Sequence, residues 1–285
     1  MDIQISEIVV SGQLDTNLRS KYEHLQTLFW EMQRVVVAFS GGVDSTLTLK
    51  VALDTLGPQH TLAVIAISPS LAREESRQAL ALLHDLNAPY ETVETHEIED
   101  PDYAANPANR CYFCKVHVGD ALVDVARARG FDYVVDGFNR DDTTDHRPGR
   151  KAGRERGIRS PLYDANLNKA EVRQLARYLG LPNWNKAAMA CLSSRIPYGS
   201  AITPAMLTQI DVAEQALRDL GFDVLRVRHH DQLARIEVPL EELDNILAQR
   251  DQIVEAVHAA GYTYVTLDLQ GFRSGSMNEV LLSGG

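Results

Sequence analysis

Cysteine is scarce in this chain, three residues in 285 and an odd number. That excludes a disulfide framework as the organising scheme, and leaves the sulfurs to be judged as metal or redox groups. Long apolar runs are missing too. No stretch approaches the ~18 residues that a membrane-spanning helix needs, and no signal-peptide pattern opens the sequence, so no membrane role is expected and a cytoplasmic location is the default. Nor is there an excess of basic residues. With 28 Lys and Arg against 39 Asp and Glu, the formal net charge is −11. This disfavours a broad nucleic-acid surface, because affinity for a polyanion comes largely from cations that neutralise phosphates. Internal repeats and low-complexity segments are absent as well.

What is present begins with Val35-Val36-Val37-Ala38-Phe39-Ser40-Gly41-Gly42-Val43-Asp44-Ser45-Thr46. Apolar residues, a glycine pair, then hydroxyls and a carboxylate leading into Leu47, Leu49, Val51, Ala52 and Leu53 spell a buried strand, a tight loop and a helix start. Such a loop can cradle a phosphate. Glycines let the backbone approach closely, Ser40, Ser45 and Thr46 add hydroxyls, and the helix N-terminus directs N–H groups and partial positive charge to the same spot. A plain strand-to-helix connection can use the same residues. Two details argue against it: the lysine of the G-x-x-x-x-G-K-[ST] pattern is missing, and Asp44 puts a carboxylate where a bare anion site has none. An acid beside phosphates suggests a divalent cation such as Mg2+ between them.

Around this unit, strands and helices alternate. Helical spacing of Leu18, Tyr22, Leu25, Leu28, Phe29 and Met32 precedes the first strand; strands at 61–67, 90–93 and 133–136 alternate with helices at 74–86, about 112–129 and 169–179. The pattern predicts an α/β fold, a parallel sheet with helices on both faces that binds ligands at the carboxyl ends of its strands. Gly137 follows one of those ends. Residues 140–159 show no periodicity and read as a loop; Asp141, Asp142 and Asp145 are candidate metal holders there, and Arg147, Arg150 and Arg154 candidate phosphate contacts. Gly199-Ser200 marks the expected boundary between a domain of residues 1–199 and a small α+β domain of residues 200–285. In the second, helix 204–220, strands 224–229 and 233–238, helix 240–260 and strand 264–269 are expected.

Cys111 and Cys114 form a Cys-x-x-Cys at an expected helix start, where the dipole favours thiolates; Cys191 lies far along the chain. Three readings stand: a zinc site with His117 as fourth ligand, a redox dithiol, or an iron–sulfur cluster held by three cysteines with one iron not ligated by protein. In the small domain Arg226 and Arg228 share one face of a strand, and Arg235 and Glu237 do so on its partner. That patch suits a phosphate, or is a cross-strand ion-pair lattice on a solvated face. His229 and His230 read as turn residues.

Ser-Gly-Gly-x-Asp-Ser resembles the pyrophosphate loop of the ATP pyrophosphatase superfamily. The chain is further similar to the LarE family of ATP-dependent sulfur transferases over about 35–278, through Asp145-His146-Arg147-Pro148-Gly149, Asn183-Trp184-Asn185-Lys186, Ser193-Ser194-Arg195-Ile196-Pro197-Tyr198-Gly199, Arg226-Val227-Arg228 and Gly271-Phe272-Arg273-Ser274-Gly275-Ser276-Met277-Asn278. The resemblance implies an enzyme that adenylates a carboxylate of a pyridinium biscarboxylate mononucleotide, and replaces AMP with sulfide to give the thiocarboxylate of the nickel-pincer nucleotide used by lactate racemase. It implies ATP, Mg2+ and a 4Fe-4S cluster as cofactors, with sulfide or another sulfur donor as partner and a homo-oligomeric state. Ser40, Gly41, Gly42, Asp44, Ser45, Thr46, Ile67, Ser68 and Gly137 would contact ATP, and Arg226, Arg228 and Arg273 the substrate phosphate. Cys111, Cys114 and Cys191 would hold the cluster, Asp44 and Glu237 a divalent cation, with Asp44, Cys191, Ser194 and Arg195 catalytic. One departure matters. Members that sacrifice their own cysteine sulfur carry it at a position aligned with Ala190 and lack the Cys-x-x-Cys, so the cluster-using kind is expected here. A tRNA thiolase built from the same parts, and an ATP- or metal-binding regulator without turnover, are the alternatives.

Overall fold

The computed structural model describes residues 14–143, 148–187 and 190–273. Asp145, His146, Arg147 and Ser274 to Asn278 of the readings above lie outside these.

In chain order the elements are α1 (Thr16–Met32), β1 (Val35–Ala38), α2 (Val43–Leu56), β2 (Thr61–Ile67), α3 (Arg73–Asp85), β3 (Tyr90–Glu94), a short α4 (Pro101–Ala104), α5 (Arg110–Arg129) and β4 (Tyr133–Val135). They continue with α6 (Pro148–Glu155), a short α7 (Pro161–Asp164), α8 (Lys169–Tyr178), α9 (Pro204–Asp219), β5 (Arg226–His230), β6 (Leu233–Glu237), α10 (Leu243–Ala248), α11 (Arg250–Ala259) and β7 (Tyr264–Leu267). The first four strands form one parallel sheet in the order β3-β2-β1-β4. Its strands are apolar because both faces are covered. Val35, Val37, Ala63 and Ile65 point into a core shared with α1, α2, α3 and α8; Val36, Leu62, Val64 and Val134 point the other way, onto Leu122 and Ala126 of α5. The expected α/β class is therefore what the chain adopts.

Two expectations need correction. Residues 140–159 are not wholly a loop: a 3₁₀ turn spans Arg140–Thr143, and 148–155 form α6. Pro148 opens that helix where its missing N–H costs nothing. The sequence 148–155 has no apolar stripe because α6 meets α5 through small residues, Ala152 being fully buried and a Cβ on Gly149 falling 2.8 Å from Lys115 Cγ. Likewise the single helix expected at 240–260 is a 3₁₀ turn followed by α10 and α11, which break at Gln249.

The second sheet has the order β5-β6-β7, antiparallel then parallel, and packs on α9 and α11 through Leu217, Val227, Ile236 and Val257. Between the sheets lies a smaller core in which Tyr103, Leu192 and Ile196 meet Leu207 and Ile210 of α9.

Candidate active site

The loop between β1 and α2 leads, through two glycines, into an open helix N-terminus. Gly41 has φ +70°, and a Cβ there would sit 2.9 Å from that of Ala79, so only glycine fits. Gly42 is the N-cap of α2 and has no side chain to occupy the helix's first N–H groups. The hydroxyls are arranged around it: Thr46 Oγ1 donates to the Gly42 carbonyl (2.8 Å), as does Ser45 Oγ (3.1 Å), which also accepts from the Ser40 amide. Gly137, after β4, is pressed against this helix start; a Cβ there would lie 2.7 Å from the Ser45 nitrogen.

Three residues to which sequence reasoning assigned no role complete the loop. Asn139, buried, donates through Nδ2 to Asp44 Oδ1 (3.1 Å), and Lys169 Nζ pairs with Asp44 Oδ2. Asn183 Nδ2 donates to the Gly41 carbonyl (3.1 Å) and to Thr46 Oγ1 (2.9 Å). Of the three, only Asn183 stood in a motif singled out above; Lys169 looked like an ordinary helix start. The candidate metal holders Asp141 and Asp142 instead bind backbone amides, accepting from Lys169 and Asn139. Arg150 stacks on the rings of Phe138 and Tyr163. Ile67 and Ser68, at the carboxyl end of β2, line a cleft of about 270 Å³ together with Leu71, Leu207 and Asp211.

The segments that carry the cysteines are joined through contacts remote in sequence. Asn106, in the left-handed region at φ +55°, accepts from Arg110 Nη1 (2.6 Å) and donates to the Pro197 carbonyl (2.8 Å); Arg110 lies over the Tyr198 ring. Tyr103 Oη shares a 2.6 Å hydrogen bond with Ser193 Oγ, and the Leu192 amide donates to the Ser70 carbonyl (2.9 Å). The start of α5 and the Cys191 segment are thus stapled side by side, and Cys114 feels the charge of both Cys111 and Cys191. No disulfide joins them, and Cys111 and Cys191 are exposed. The expectation of dipole-favoured thiolates fails at Cys114. The helix starts at Arg110, which places Cys114 beyond its first turn, and burial pushes the thiol up to about 12. Among the described residues no three His, Cys, Asp or Glu side chains already stand at metal-binding spacing. His117 is engaged with Asp100 (3.0 Å).

Arg195 is expected to touch the reacting groups, but its guanidinium is buried. It forms a bidentate pair with Glu214 of α9 (2.8 and 2.9 Å) and donates to the carbonyls of Ala190 (2.7 Å) and Cys191 (3.0 Å). It shapes the Cys191 segment from within. Burial raises the Glu214 carboxyl's pKa, and Arg195, the Val227 amide and Arg218 outweigh it, leaving the value below the ordinary one. Ser194, half-buried, links this segment to the small sheet, its carbonyl accepting from Arg228 Nη1 (2.7 Å). Arg226, Arg228, Arg235 and Glu237 do share a face, but it is not solvated: Arg226, Arg228 and Glu237 are buried. Arg228 binds both Glu237 oxygens (2.9 and 2.7 Å), and Arg235 adds a contact at 3.2 Å, so Glu237 serves as their counter-ion. Arg226 lies over the Phe272 ring; burial, with the nearby Arg195 and Arg228, pushes it down to about 10. Arg273 follows, half-buried.

Over 264 residues the chain is 42% identical to the pyridinium-3,5-bisthiocarboxylic acid mononucleotide synthase of Lactiplantibacillus plantarum, covering 93% of this chain and 96% of that protein. The chain belongs to the LarE family. An uncharacterised protein of Synechocystis is 48% identical over 93% of this chain and 99% of its own length, and an uncharacterised protein of Methanocaldococcus jannaschii is 28% identical over 92% and 96%. A sequence profile of the NAD synthase family matches residues 19–108, the part holding the loop. The NMN synthetase of Francisella tularensis superposes with a TM-score of 0.47 at 22% identity, over 63% of this chain and 76% of that one.

Proposed function

We propose that this LarE-family chain is an ATP-dependent sulfur transferase that makes a thiocarboxylate of a pyridinium mononucleotide for the nickel-pincer cofactor. The observation that carries the proposal is the connection of three parts. Asn183 ties the carboxylate-bearing loop to the segment that leads to Cys191, Tyr103–Ser193 ties that segment to the region that opens the Cys111–Cys114 helix, and Ser194–Arg228 ties it to a pair of buried guanidiniums. Residues 1–199 would then form the activating domain and 200–285 the one that holds the substrate.

In this reading the α2 N-terminus and Ser40 to Thr46 bind the ATP phosphates, and the cleft beside Ile67 and Ser68 takes the adenine. Arg226, Arg228 and Arg273 receive the substrate phosphate, a group that guanidinium forks suit. A substrate carboxylate oxygen attacks the α-phosphorus and pyrophosphate leaves. The chain's work is positioning and charge neutralisation. A sulfide sulfur then attacks the acyl carbon, AMP leaves with the C–O electron pair, and the thiocarboxylate remains. Asp44 would hold Mg2+, which neutralises phosphate charge. The three thiols, with no fourth cysteine, fit an iron–sulfur cluster better than a closed zinc site, and such a cluster supplies an open iron that delivers sulfide. Loading it requires Cys114 to give up its proton. The acidic net charge favours a small-molecule substrate over tRNA.

The test is anaerobic iron and sulfide analysis of wild type, Cys111→Ala and Cys191→Ala, together with pyrophosphate release in the presence of the biscarboxylate nucleotide. Iron and sulfide in the wild type alone, with release abolished by Asp44→Ala, are expected. Zinc without iron would overturn the cluster assignment, and release indifferent to the nucleotide would overturn the reaction.

A further inference from the structure

Arg150, in the first turn of α6, is a half-buried guanidinium without an acid. It lies over two mutually tilted rings, 4.6 Å from the centre of Phe138 and 4.5 Å from that of Tyr163, and among the described residues it has no hydrogen-bond or ion-pair partner. The acids of the neighbouring segments are engaged elsewhere. Asp164 takes Arg159 (2.9 Å), Glu155 takes the Tyr112 hydroxyl (2.8 Å), and Asp136 accepts from the Phe138 amide (3.1 Å) and from Ser160 Oγ (2.7 Å). The last two contacts tie Phe138 to the start of α7, the short helix that carries Tyr163. A cation held against ring faces keeps its N–H edge for an oxyanion. Its place in the fold narrows which one. Phe138 follows Gly137, where a Cβ would lie 2.7 Å from the Ser45 nitrogen, and Arg150 follows Gly149, where a Cβ would lie 3.4 Å from the Cys111 carbonyl oxygen. Arg150 thus stands between the β1–α2 loop and the helix of Cys111 and Cys114.

Resting on the reading of this chain as a transferase acting on a pyridinium biscarboxylate mononucleotide, we propose that Arg150 holds one substrate carboxylate and thereby decides which of the two is activated. In that reading the ATP phosphates go to the open start of α2 and the substrate phosphate to Arg226, Arg228 and Arg273; the second carboxylate has no partner. A guanidinium fork matches a carboxylate through two parallel N–H···O bonds. A carboxylate so engaged has both oxygens occupied and is a poor nucleophile, so the group on Arg150 is the spectator. The carboxylate across the pyridinium ring is then the one presented to the α-phosphorus. Arg150 makes and breaks no covalent bond in this role; it binds, orients and selects.

A spectator clamp has a consequence that a merely structural arginine lacks: it tells a nucleotide with two carboxylates from one with a single carboxylate. The experiment measures, by calorimetry, affinity for the pyridinium biscarboxylate mononucleotide and for the mononucleotide with one carboxylate, each without ATP so that no reaction follows. ATP with Mg2+ is titrated separately. Wild type, Arg150→Met and Arg150→Lys are compared, each first shown folded by circular dichroism and a thermal melt. Wild type should prefer the biscarboxylate by about tenfold, and Arg150→Met should abolish that preference while affinity for the monocarboxylate and for ATP changes by less than about threefold. Arg150→Lys should keep part of the preference, because an ammonium supplies the charge without the fork. Equal affinities in wild type, or a preference that survives Arg150→Met, would overturn the clamp. Loss of ATP affinity by about tenfold with the preference intact would overturn it too, and make Arg150 a phosphate contact. If wild type binds neither pyridinium nucleotide, the proposed function fails and the clamp with it.

Discussion

At the scale of single residues, close approach and burial decide what the site can do. Gly137 has an ordinary backbone angle, yet a side chain there would drive into the backbone of Ser45 and Asp44, at 2.7 and 2.9 Å. Gly137→Ala should therefore displace the start of α2 and weaken ATP binding by an order of magnitude or more while leaving the fold cooperative, as calorimetry and a urea melt will show. Cys114 gives a second test. With folding raising its thiol from 9.0 to about 12, metal-free protein keeps Cys114 protonated at neutral pH, and the stability this represents is present below pH 9 and lost as pH climbs towards 12. Alkylation at pH 8 should label Cys111 and Cys191 well before Cys114, as peptide mass mapping would reveal, and the lag should shrink only in strongly alkaline buffer or urea. The cysteines and the loop were legible because their residue types announce chemistry. Lys169, Asn139 and Glu214 were not, since a Lys, an Asn or a Glu acquires its meaning from a partner 125, 95 or 19 positions away.

At the scale of elements, the strands were the most readable. Three consecutive valines with no exposure in β1 and a seven-residue β2 carry the mark of a sheet covered on both faces. Helix α6 escaped because it buries backbone and small side chains, leaving no periodic stripe to detect. The junction of the α4–α5 turn with the Cys191 segment was invisible for another reason: Asn106 acts through a left-handed backbone angle and a side chain that meets both Arg110 and Pro197. Replacing Asn106 by Ala would strand a buried guanidinium and release the segment carrying Cys191. A loss of about 1.5–3 kcal/mol in chemical denaturation is expected, with lower iron occupancy if the three cysteines act together. Unchanged stability would show that the staple contributes nothing.

At the scale of the whole molecule, the two sheets are joined by charge as well as by apolar contact. Arg195 and Glu214 are 1% and 0% exposed, so deleting Glu214 leaves Arg195 buried without its counter-ion. Glu214→Ala should cost about 3–5 kcal/mol and lower the melting temperature sharply, an effect far larger than that of removing the exposed pair Arg127–Asp124. Acid should mimic it. Because the Glu214 pKa is lowered on folding, its contribution holds above the ordinary value of 4.5 and fades as the pH drops below it.

The same pair sets a rule for anyone recombining parts of this family. Gly199 looks like a natural cut point, yet the arginine before it is neutralised by a glutamate after it, and that arginine holds the carbonyls of Ala190 and Cys191. A chimera that borrows its C-terminal portion from a relative must import a carboxylate at position 214, whatever substrate the donor prefers. Without it, the graft would fail at the cysteine loop, in the portion that was never exchanged.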